Sequence, residues 1–433
     1  MLSIFEDKVI YMKSIVLLFP GQGSQYVGMG KELYSRNNIA RQVFEEASDL
    51  LNMDMTKLCF ESNTNEMMKT ENAQPAILTT SYAAFSVFMD EVGIQPAFMA
   101  GSSLGEITAL TCAGGIKFSD AIKIVKQRGK FMQEAVAAGA GCMTAVGGLE
   151  AATIERECIR NSINGEVVSI SNYNSPNQIV ISGHVQAVSA VEKRLKELGA
   201  ALIRLKVSAP FHCSLMQPAV KELREELEKY EYSNTNYPVI SNVSAKPYRG
   251  CEDMIENLTR QITQPVRWQE TMEFIHSKGV TLAVEMSPGT VLTNLMKKNK
   301  INIPSYPYKG DSEELKEILI KTKQTNRINN ESTVLTKCMA IAVCTKNSNW
   351  DNDDYLKGVI EPYNKIQQLQ DELDKKGEEP SKKQMIEALE MLKSVFMTKR
   401  TPVEEQLERF HQIFEETGKK DLLDDFKMPS ANK

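Results

Sequence analysis

The segment Gly101-Ser102-Ser103-Leu104-Gly105 restricts the fold more than any other part of the sequence. A short apolar run, 97–100, precedes it, and a helix-like run, 106–113, follows it. A Gly-x-Ser-x-Gly sequence between a strand and a helix holds its serine on a sharp turn. Glycine suits such a turn because a Cβ would collide with the neighbouring backbone. The segment therefore predicts an α/β fold with Ser103 raised at the end of a strand.

The same segment suits a nucleophile. The turn would lift the Ser103 hydroxyl clear of the sheet and leave the backbone N–H of Leu104 free at a helix N-terminus, where it can stabilise an oxyanion. The first hypothesis is therefore acyl transfer through an acyl-serine. The alternative is a Gly/Ser loop that caps a helix, because this five-residue pattern is also common by chance.

The overall composition argues against two classes of partner. The 433 residues are 42% hydrophobic and 25% charged, which is typical of a globular protein with two or three domains. A net charge of -5 argues against nucleic acid as the main partner. No apolar run is long enough to span a bilayer. We therefore expect neither nucleic acid nor a membrane as a partner.

The N-terminus and the cysteines indicate a cytoplasmic protein. Residues 1–12 lack the basic start and apolar core of a secretion signal, so we expect them to form an N-terminal extension. None of the eight cysteines forms a CxxC pair or a metal-like cluster with the four histidines. We expect free thiols in a reducing compartment and no metal site.

Strand-like and helix-like segments alternate over residues 13–140 and 207–310, as in an α/β domain with a parallel sheet. The intervening residues, 141–206, follow the order βαββαβ, which is that of a ferredoxin-like unit. Strands of this unit are expected at 142–146, 167–171, 178–182 and 201–207, with a turn at 172–177. The unit is therefore predicted to be an insertion in the α/β domain.

The composition shifts after residue 310. Residues 311–334 are expected to form a linker, since 321–332 are mostly polar. A helical extension is expected over 335–433, with helices at 365–375, 382–398 and 403–416. One helix carries an apolar stripe, which consists of Met385, Ile386, Leu389, Leu392 and Val395. This stripe either packs inside the protein or forms a docking surface.

A nucleophilic serine needs a base, and the sequence offers four histidines. His411 and His276 fall on polar or surface-like helices, and His184 falls at a predicted helix start. His212 lies in the loop-like stretch 208–214 after a strand, where functional residues tend to occur. His212 is therefore the candidate base, although any single histidine can also be purely structural. No nearby aspartate is evident, so a side-chain amide or a backbone carbonyl would orient its ring.

An ordered set of motifs resembles the malonyl-CoA:acyl carrier protein transacylase family. The set runs from about residue 14 to 308, and its order makes it specific. The family's fold is a hydrolase-like α/β domain with an inserted ferredoxin-like subdomain, as the pattern above predicts. The matching segments are Phe19-Pro20-Gly21-Gln22-Gly23-Ser24-Gln25, Gln74-Pro75-Ala76, Gly101 to Glu106, Gln127-Arg128-Gly129, Phe211-His212, Ser241-Asn242, Pro265-Val266-Arg267-Trp268 and Pro288-Gly289.

The resemblance implies a catalytic role for four residues. Ser103 matches the acylated nucleophile of the family, and His212 matches its base in a dyad. Gln22 matches the residue whose backbone N–H joins that of Leu104 in the oxyanion hole. The implied reaction needs no cofactor, since malonyl-CoA is a substrate.

The resemblance also implies substrate-binding roles. Arg128 matches the arginine that pairs with the free carboxylate of malonyl, and a planar guanidinium can hold a carboxylate with two hydrogen bonds. Without the resemblance, Arg128 would be interpreted as a helix-surface residue. Gln261 aligns with a glutamine near the histidine, and the bulky ring of Phe211 would crowd an α-substituent. Asn172 and Asn174 match a segment near the cleft, although both residue types also favour turns.

One position departs from the family pattern. The family usually has histidine where this chain has Ser102, which leaves the dyad intact but alters the cleft wall. Serine there also resembles some editing acyl hydrolases of polyketide pathways, so an editing hydrolase remains an alternative. A non-catalytic scaffold that binds a synthase is a second alternative.

The C-terminal extension resembles that of freestanding acyltransferases of the mycosubtilin and iturin type. Those enzymes load the carrier domains of polyketide and hybrid lipopeptide synthases in trans. The resemblance therefore implies malonyl-CoA as donor and an acyl carrier protein or carrier domain as acceptor.

Overall fold

The computed structural model describes residues 14–299, 301–309, 314–320, 322, 333–349, 351–376, 378–420, 422 and 425–429. One compact unit is Lys13–Ile320, and the described residues from 322 onward belong to a second unit. The expected N-terminal extension, 1–12, lies outside the described residues.

The described strands, in chain order, are β1 (Ile15–Phe19), β2 (Phe98–Gly101), β3 (Gly141–Gly147), β4 (Val168–Ser175), β5 (Gln178–His184), β6 (Ala201–Arg204), β7 (Val239–Ile240), β8 (Leu282–Met286) and β9 (Ser305–Tyr308). The helices of the first unit are α1 (Lys31–Arg36), α2 (Asn38–Leu51), α3 (Met55–Glu61), α4 (Thr64–Met68), α5 (Thr70–Glu91), α6 (Leu104–Cys112), α7 (Phe118–Glu134), α8 (Ala151–Asn161), α9 (Val185–Glu197), α10 (Gln217–Leu227), α11 (Met254–Gln261), α12 (Trp268–Ser277), α13 (Val291–Lys298) and α14 (314–320). Those of the second unit are α15 (Val334–Cys344), α16 (Asn352–Tyr355), α17 (Glu361–Lys376), α18 (Lys382–Thr398) and α19 (Val403–Thr417).

The main sheet is parallel, with the strand order β7-β2-β1-β8-β9. All five residues of β1 are buried, and they alternate between two cores. Leu17 packs with residues of α5, α6 and α7 on one face, whereas Leu18 packs with residues of α12 and α13 on the other. A strand covered by helices on both faces must be apolar throughout, which explains the unbroken run of β1.

The inserted sheet is antiparallel, with the order β4-β5-β3-β6, and α8 and α9 cover one face. This arrangement and the parallel main sheet confirm the α/β fold class with a ferredoxin-like insertion. The structure corrects the predicted turn at 172–177, because β4 continues to Ser175 and places Asn172 and Asn174 in the strand. The physical reason is a pairing with the main domain, in which Tyr173 N–H donates to the Val266 carbonyl at 2.9 Å. That long-range bond and the pairing of β4 with β5, which continues to Ser175 opposite Gln178, outweigh the local turn preference of the asparagines.

The end of the first unit also differs from the expectation. The predicted linker, 311–334, contains α14, whose Leu315 and Leu319 are each only 1% exposed and lie in the core of the first unit. Burial of these two leucines extends the first unit to Ile320 rather than 310. Residues 323–332 of the predicted linker lie outside the described residues.

The second unit has a helical core of its own, which includes Phe396, Phe410 and Phe414. Four members of the apolar stripe of α18 are buried in this core, and Ile386 packs against it. The stripe therefore packs within the extension and is not a docking surface. None of the described helices is long and apolar enough to cross a membrane.

Candidate active site

The nucleophile turn forms because two glycines allow very close backbone contacts. A Cβ on Gly101 would lie 1.9 Å from the Gly105 carbonyl, and a Cβ on Gly105 would lie 2.0 Å from the Phe19 carbonyl oxygen. Between them, Ser103 takes a φ of 54° and a ψ of -107°, which is a strained conformation for a side chain other than glycine. The turn connects β2 to α6 and leaves Ser103 partly exposed.

Asn242 holds this turn in place. Its side-chain Oδ1 accepts a hydrogen bond from Ser103 N–H at 2.7 Å, and its Nδ2 donates to the Gly101 carbonyl at 2.6 Å. Asn242 follows β7, the strand next to β2, so both reach the same edge of the sheet. The motif Ser241-Asn242 was visible in the sequence, but this role of Asn242 depends on a contact across 139 positions.

The structure brings Ser103 and His212 together. Ser103 Oγ lies 2.7 Å from His212 Nε2, and His212 Nδ1 lies 2.8 Å from the backbone carbonyl oxygen of Gln261. Since a carbonyl only accepts, the proton of the neutral ring resides on Nδ1, and Nε2 is left to accept the Ser103 proton. The orienting group is thus a backbone carbonyl, one of the two kinds considered from the sequence.

The electrostatic environment keeps His212 neutral. Burial is the main cause that lowers its pKa to about 4, and the positive charge of Arg128 lowers it further, whereas the Gln261 carbonyl opposes the shift. The imidazole is therefore unprotonated at neutral pH, as a general base must be. Gln261 ends α11, so its carbonyl also belongs to the negative end of a helix dipole, which favours the imidazolium formed during reaction.

Arg128 points into the site rather than lying on a helix surface. Its side chain is 1% exposed. One terminal nitrogen donates to Gln74 Oε1 at 2.9 Å, and the other donates to Gln261 Oε1 at 2.8 Å and to Ser103 Oγ at 3.1 Å. Burial lowers the pKa of Arg128 to about 10, and the charge of Glu106 opposes this, so the guanidinium remains positive. A fixed positive charge thus lies beside the nucleophile, where an anionic acyl group could bind.

Gln261 connects the dyad to the arginine. Its side-chain oxygen accepts from Arg128, and its amide nitrogen donates to the Ser103 carbonyl at 3.0 Å and to the Glu106 carboxylate. Its backbone carbonyl contacts His212. A single residue therefore contacts the nucleophile, the base and the cation.

Three residues of the site, two of them buried and one partly buried, were missed by sequence reasoning as functional candidates. They are Gln74, Glu106 and Tyr248. Burial raises the pKa of Glu106 to about 7, and hydrogen bonds from Tyr248 and Gln261 oppose that shift. The signal in the sequence was an acidic residue in the otherwise uncharged helix α6, all nine residues of which are buried.

The expected oxyanion-hole residues flank the serine. Leu104 is the first residue of α6, and a Cβ on Gly21 would lie 3.8 Å from the Cβ of Ser103, so the turn that contains Gln22 is adjacent to the nucleophile. Within the described residues, neither backbone N–H donates to a protein acceptor. Both are therefore free to bind a substrate oxygen.

The remaining candidates are less closely connected. Phe211 is buried beside His212. Asn172 Oδ1 accepts from Ser171 Oγ at 2.9 Å, and the backbone carbonyl of Asn174 accepts from Asn299 Nδ2 at 2.8 Å. Neither asparagine makes a hydrogen bond to the dyad or the arginine in the part of the chain that the structure describes. That part also holds no metal-like cluster of histidine, cysteine or acidic residues.

Comparisons with known proteins agree with this architecture. Residues 16–330 match the model of the acyl transferase domain. A malonyl CoA-acyl carrier protein transacylase of Bacillus subtilis is 38% identical over 398 residues, which cover 92% of this chain and 99% of the relative. A protein of the same description from Bacillus subtilis strain 168 is 44% identical over 288 residues, which cover 66% of this chain and 90% of the relative.

Solved structures show the same likeness. The malonyl CoA-acyl carrier protein transacylase of Coxiella burnetii is 37% identical, with a TM-score of 0.69, and covers 72% of this chain and 98% of its own. A malonyl-transacylase solved in complex with its type II polyketide synthase acyl carrier protein is 41% identical, with a TM-score of 0.68, and covers 71% of this chain and 99% of its own. The chain therefore belongs to the malonyl-CoA:acyl carrier protein transacylase family of acyltransferases.

Proposed function

We propose that this acyltransferase moves a malonyl group from malonyl-CoA, through an ester of Ser103, to the phosphopantetheine thiol of an acyl carrier protein. The observation that carries the proposal is the placement of Ser103 Oγ, 2.7 Å from a neutral imidazole and 3.1 Å from a buried guanidinium. The two Bacillus subtilis relatives are malonyl CoA-acyl carrier protein transacylases, which supports the same donor and acceptor.

The first half-reaction forms the acyl-enzyme. Ser103 Oγ attacks the thioester carbonyl while His212 Nε2 takes the hydroxyl proton. The backbone N–H groups of Leu104 and Gln22 stabilise the negative charge that develops on the carbonyl oxygen. The carbon–sulfur bond then breaks, and coenzyme A leaves with the proton returned by the imidazolium.

The second half-reaction reverses the roles. The carrier thiol gives its proton to His212 and attacks the ester carbonyl, and Ser103 leaves with that proton. The proton and electron balance closes without a metal or a redox cofactor. A bound carrier thiol competes with water for the same ester, so transfer and hydrolysis are alternative fates of one intermediate.

Arg128 provides the preference for an acyl group with a free carboxylate. A hydrogen bond to a charged partner contributes about 1.5–3 kcal/mol, and acetyl offers no such partner. The bulky ring of Phe211 next to His212 is proposed to restrict α-substituents on the acyl group. Asn172 and Asn174 are retained as proposed cleft residues of the inserted domain.

We further propose that the enzyme serves a polyketide or hybrid lipopeptide synthase in trans, in antibiotic biosynthesis and in the cytoplasm. The support is the C-terminal helical unit, because the Bacillus subtilis relative that covers 92% of this chain extends into it. The relative from strain 168 covers only 66%. A role in general fatty acid synthesis is the alternative for the same chemistry.

An editing hydrolase is the second candidate function, and Ser102 in the position before the nucleophile is the observation that favours it. Mass spectrometry of the intact protein mixed with malonyl-CoA tests both. We expect a malonyl adduct on the wild type and on Ser102→Ala, none on Ser103→Ala, and transfer of the adduct to a holo carrier. Release to water without transfer would indicate the hydrolase. No adduct on any donor would indicate a scaffold.

A further inference from the structure

Glu106 is a buried carboxylate to which the proposed reaction assigns no step. It lies in the first turn of α6, three positions after Ser103, and it is 0% exposed. Burial of a charged group is costly unless hydrogen bonds and an opposite charge compensate for it. The contacts of Glu106 therefore indicate what its charge is for.

The carboxylate accepts hydrogen bonds from several groups. Tyr248 donates its hydroxyl to Oε1 at 2.6 Å, and the Gln261 amide nitrogen donates to Oε2. The backbone N–H of Asn242 and the hydroxyl of Ser241 also lower its pKa. An ionised carboxylate only accepts hydrogen bonds, whereas a protonated one must also donate. These donors therefore stabilise the negatively charged form and oppose burial, which raises the pKa of Glu106 to about 7.

Glu106 supplies the only charged acceptor among the three that orient the Gln261 amide nitrogen in the described part of the chain; the other two are the Ser103 carbonyl at 3.0 Å and Asn242 Oδ1 at 3.4 Å. With its nitrogen toward Glu106, Gln261 presents its oxygen to Arg128. A flipped amide would place its oxygen against the carboxylate and its nitrogen against the guanidinium, and both contacts would be repulsive. The same Arg128 nitrogen that Gln261 holds also contacts Ser103 Oγ. A chain of contacts thus extends from Glu106 to the nucleophile.

Glu106 also offsets the positive charge of the site. The titratable groups that face it are Tyr248 and Arg128, and His212 lies beyond the arginine. Its charge raises the pKa of Arg128, which in turn lowers the pKa of His212. Glu106 therefore favours the charged form of the arginine that is proposed to bind the malonyl carboxylate.

We propose that Glu106 is a positioning residue for malonyl transfer: its carboxylate fixes the Gln261 amide, and Gln261 then holds Arg128 beside Ser103 in the orientation that selects a carboxylated acyl group. This inference rests on the proposed function, since it assumes that Arg128 binds the malonyl carboxylate. Glu106 acts through Gln261 and Arg128 and does not touch the substrate.

The test compares Glu106→Gln with Tyr248→Phe by intact-mass rates of loading from malonyl-CoA and acetyl-CoA between pH 6 and 9. In Glu106→Gln the malonyl-to-acetyl rate ratio is about tenfold below that of the wild type from pH 8 to 9, as expected when one charge-assisted hydrogen bond is lost. The difference becomes smaller toward pH 6, because the wild-type carboxylate, with a pKa of about 7, is then protonated as well. In Tyr248→Phe the carboxylate loses a donor, so its pKa rises further. The ratio then falls near pH 7 and recovers toward pH 9, where Glu106 ionises again.

Glu285→Gln is the matched control. Glu285 is also 0% exposed, but its oxygens accept the backbone N–H groups of Leu292 and Thr293, at 2.9 and 2.7 Å, and cap α13. This substitution lowers thermal stability and leaves the rate ratio at the wild-type value. A purely structural role for Glu106 predicts the same behaviour for Glu106→Gln.

Two results overturn the inference: a wild-type ratio at every pH in Glu106→Gln, or an equal change of the ratio in Glu285→Gln. If Glu106→Gln does not fold, the malonyl-to-acetyl rate ratio of Tyr248→Phe tests the inference instead. A ratio that does not change with pH in that variant contradicts the inference. Failure of the wild type to load malonyl refutes the proposed function instead. The two failures are therefore distinguishable.

Discussion

Replacement of Arg128 by glutamine gives the sharpest test of the site, because it changes two measurable properties at once. The guanidinium is buried and donates to Gln74, Gln261 and Ser103. Removal of its charge eliminates one or two charged hydrogen bonds to a malonyl carboxylate, each contributing about 1.5–3 kcal/mol. The kcat/KM for malonyl-CoA therefore falls by about 10- to 100-fold for a single such bond. Acetyl loading changes little, because acetyl makes no such bond.

The same substitution moves the acidic limb of the pH profile. The limb of kcat/KM reports the pKa of the base in the free enzyme. In the wild type we expect it near 4, because burial and the Arg128 charge both depress the pKa of His212. Without the charge, the pKa of His212 rises and the limb moves toward higher pH, although burial keeps the pKa below the value of 6.5 that is usual for histidine.

Mass spectrometry of the acyl-enzyme in samples quenched at successive times, from pH 4 to 8 and with malonyl-CoA and acetyl-CoA in parallel, measures both the donor preference and the acidic limb. Arg128→Gln also leaves buried acceptors on Gln74 and Gln261 with fewer donors, which costs about 1–3 kcal/mol of unfolding free energy. Thermal melting must therefore show that the variant is folded. An equal fall in malonyl and acetyl loading, together with an unmoved acidic limb, would refute the reasoning.

Three further substitutions test other parts of the structure. Ser103→Ala abolishes the malonyl adduct and retains the wild-type melting temperature, and an adduct of unchanged yield would reject the nucleophile. Gly105→Ala places a Cβ 2.0 Å from the Phe19 carbonyl oxygen and prevents the turn, so soluble yield and melting temperature both fall. A yield equal to that of the wild type would contradict this contact. Leu389→Ala in the second unit costs about 2–5 kcal/mol by cavity formation, and denaturant unfolding of that unit measures it against the control Met397→Ala at a 68% exposed position.

The sequence predicted those structural elements that depend on residues close together in the chain. The buried run of β1 and the glycines around Ser103 needed no distant information, because their burial and close contacts restrict which residues fit. The predicted turn at 172–177 was too long, since β4 pairs with β5 as far as Ser175 and with Val266, and the turn is confined to 176–177. Strand β9 carries Pro307 and follows no clear apolar alternation, so its residues gave no strand signal.

The residues of the site likewise comprise some that a local sequence signal predicts and others that depend on distant contacts. Ser103 was predicted from its turn, and His212 from its position in a loop after a strand. Arg128 was assigned by resemblance, because its own segment is typical of a helix surface. Asn242 and Gln261 act through contacts across 139 and 133 positions, and only the folded chain reveals such partners.

The backbone carbonyl and the side chain of Gln261 respond differently to substitution. Its main-chain oxygen orients His212, and no substitution at this position removes that oxygen. Its side chain secures Arg128, and almost any substitution releases it. Mutation at position 261 can therefore alter which donor is accepted while the proton-transfer machinery survives. A single substitution at position 261 could therefore change the preferred acyl group in an enzyme that remains active.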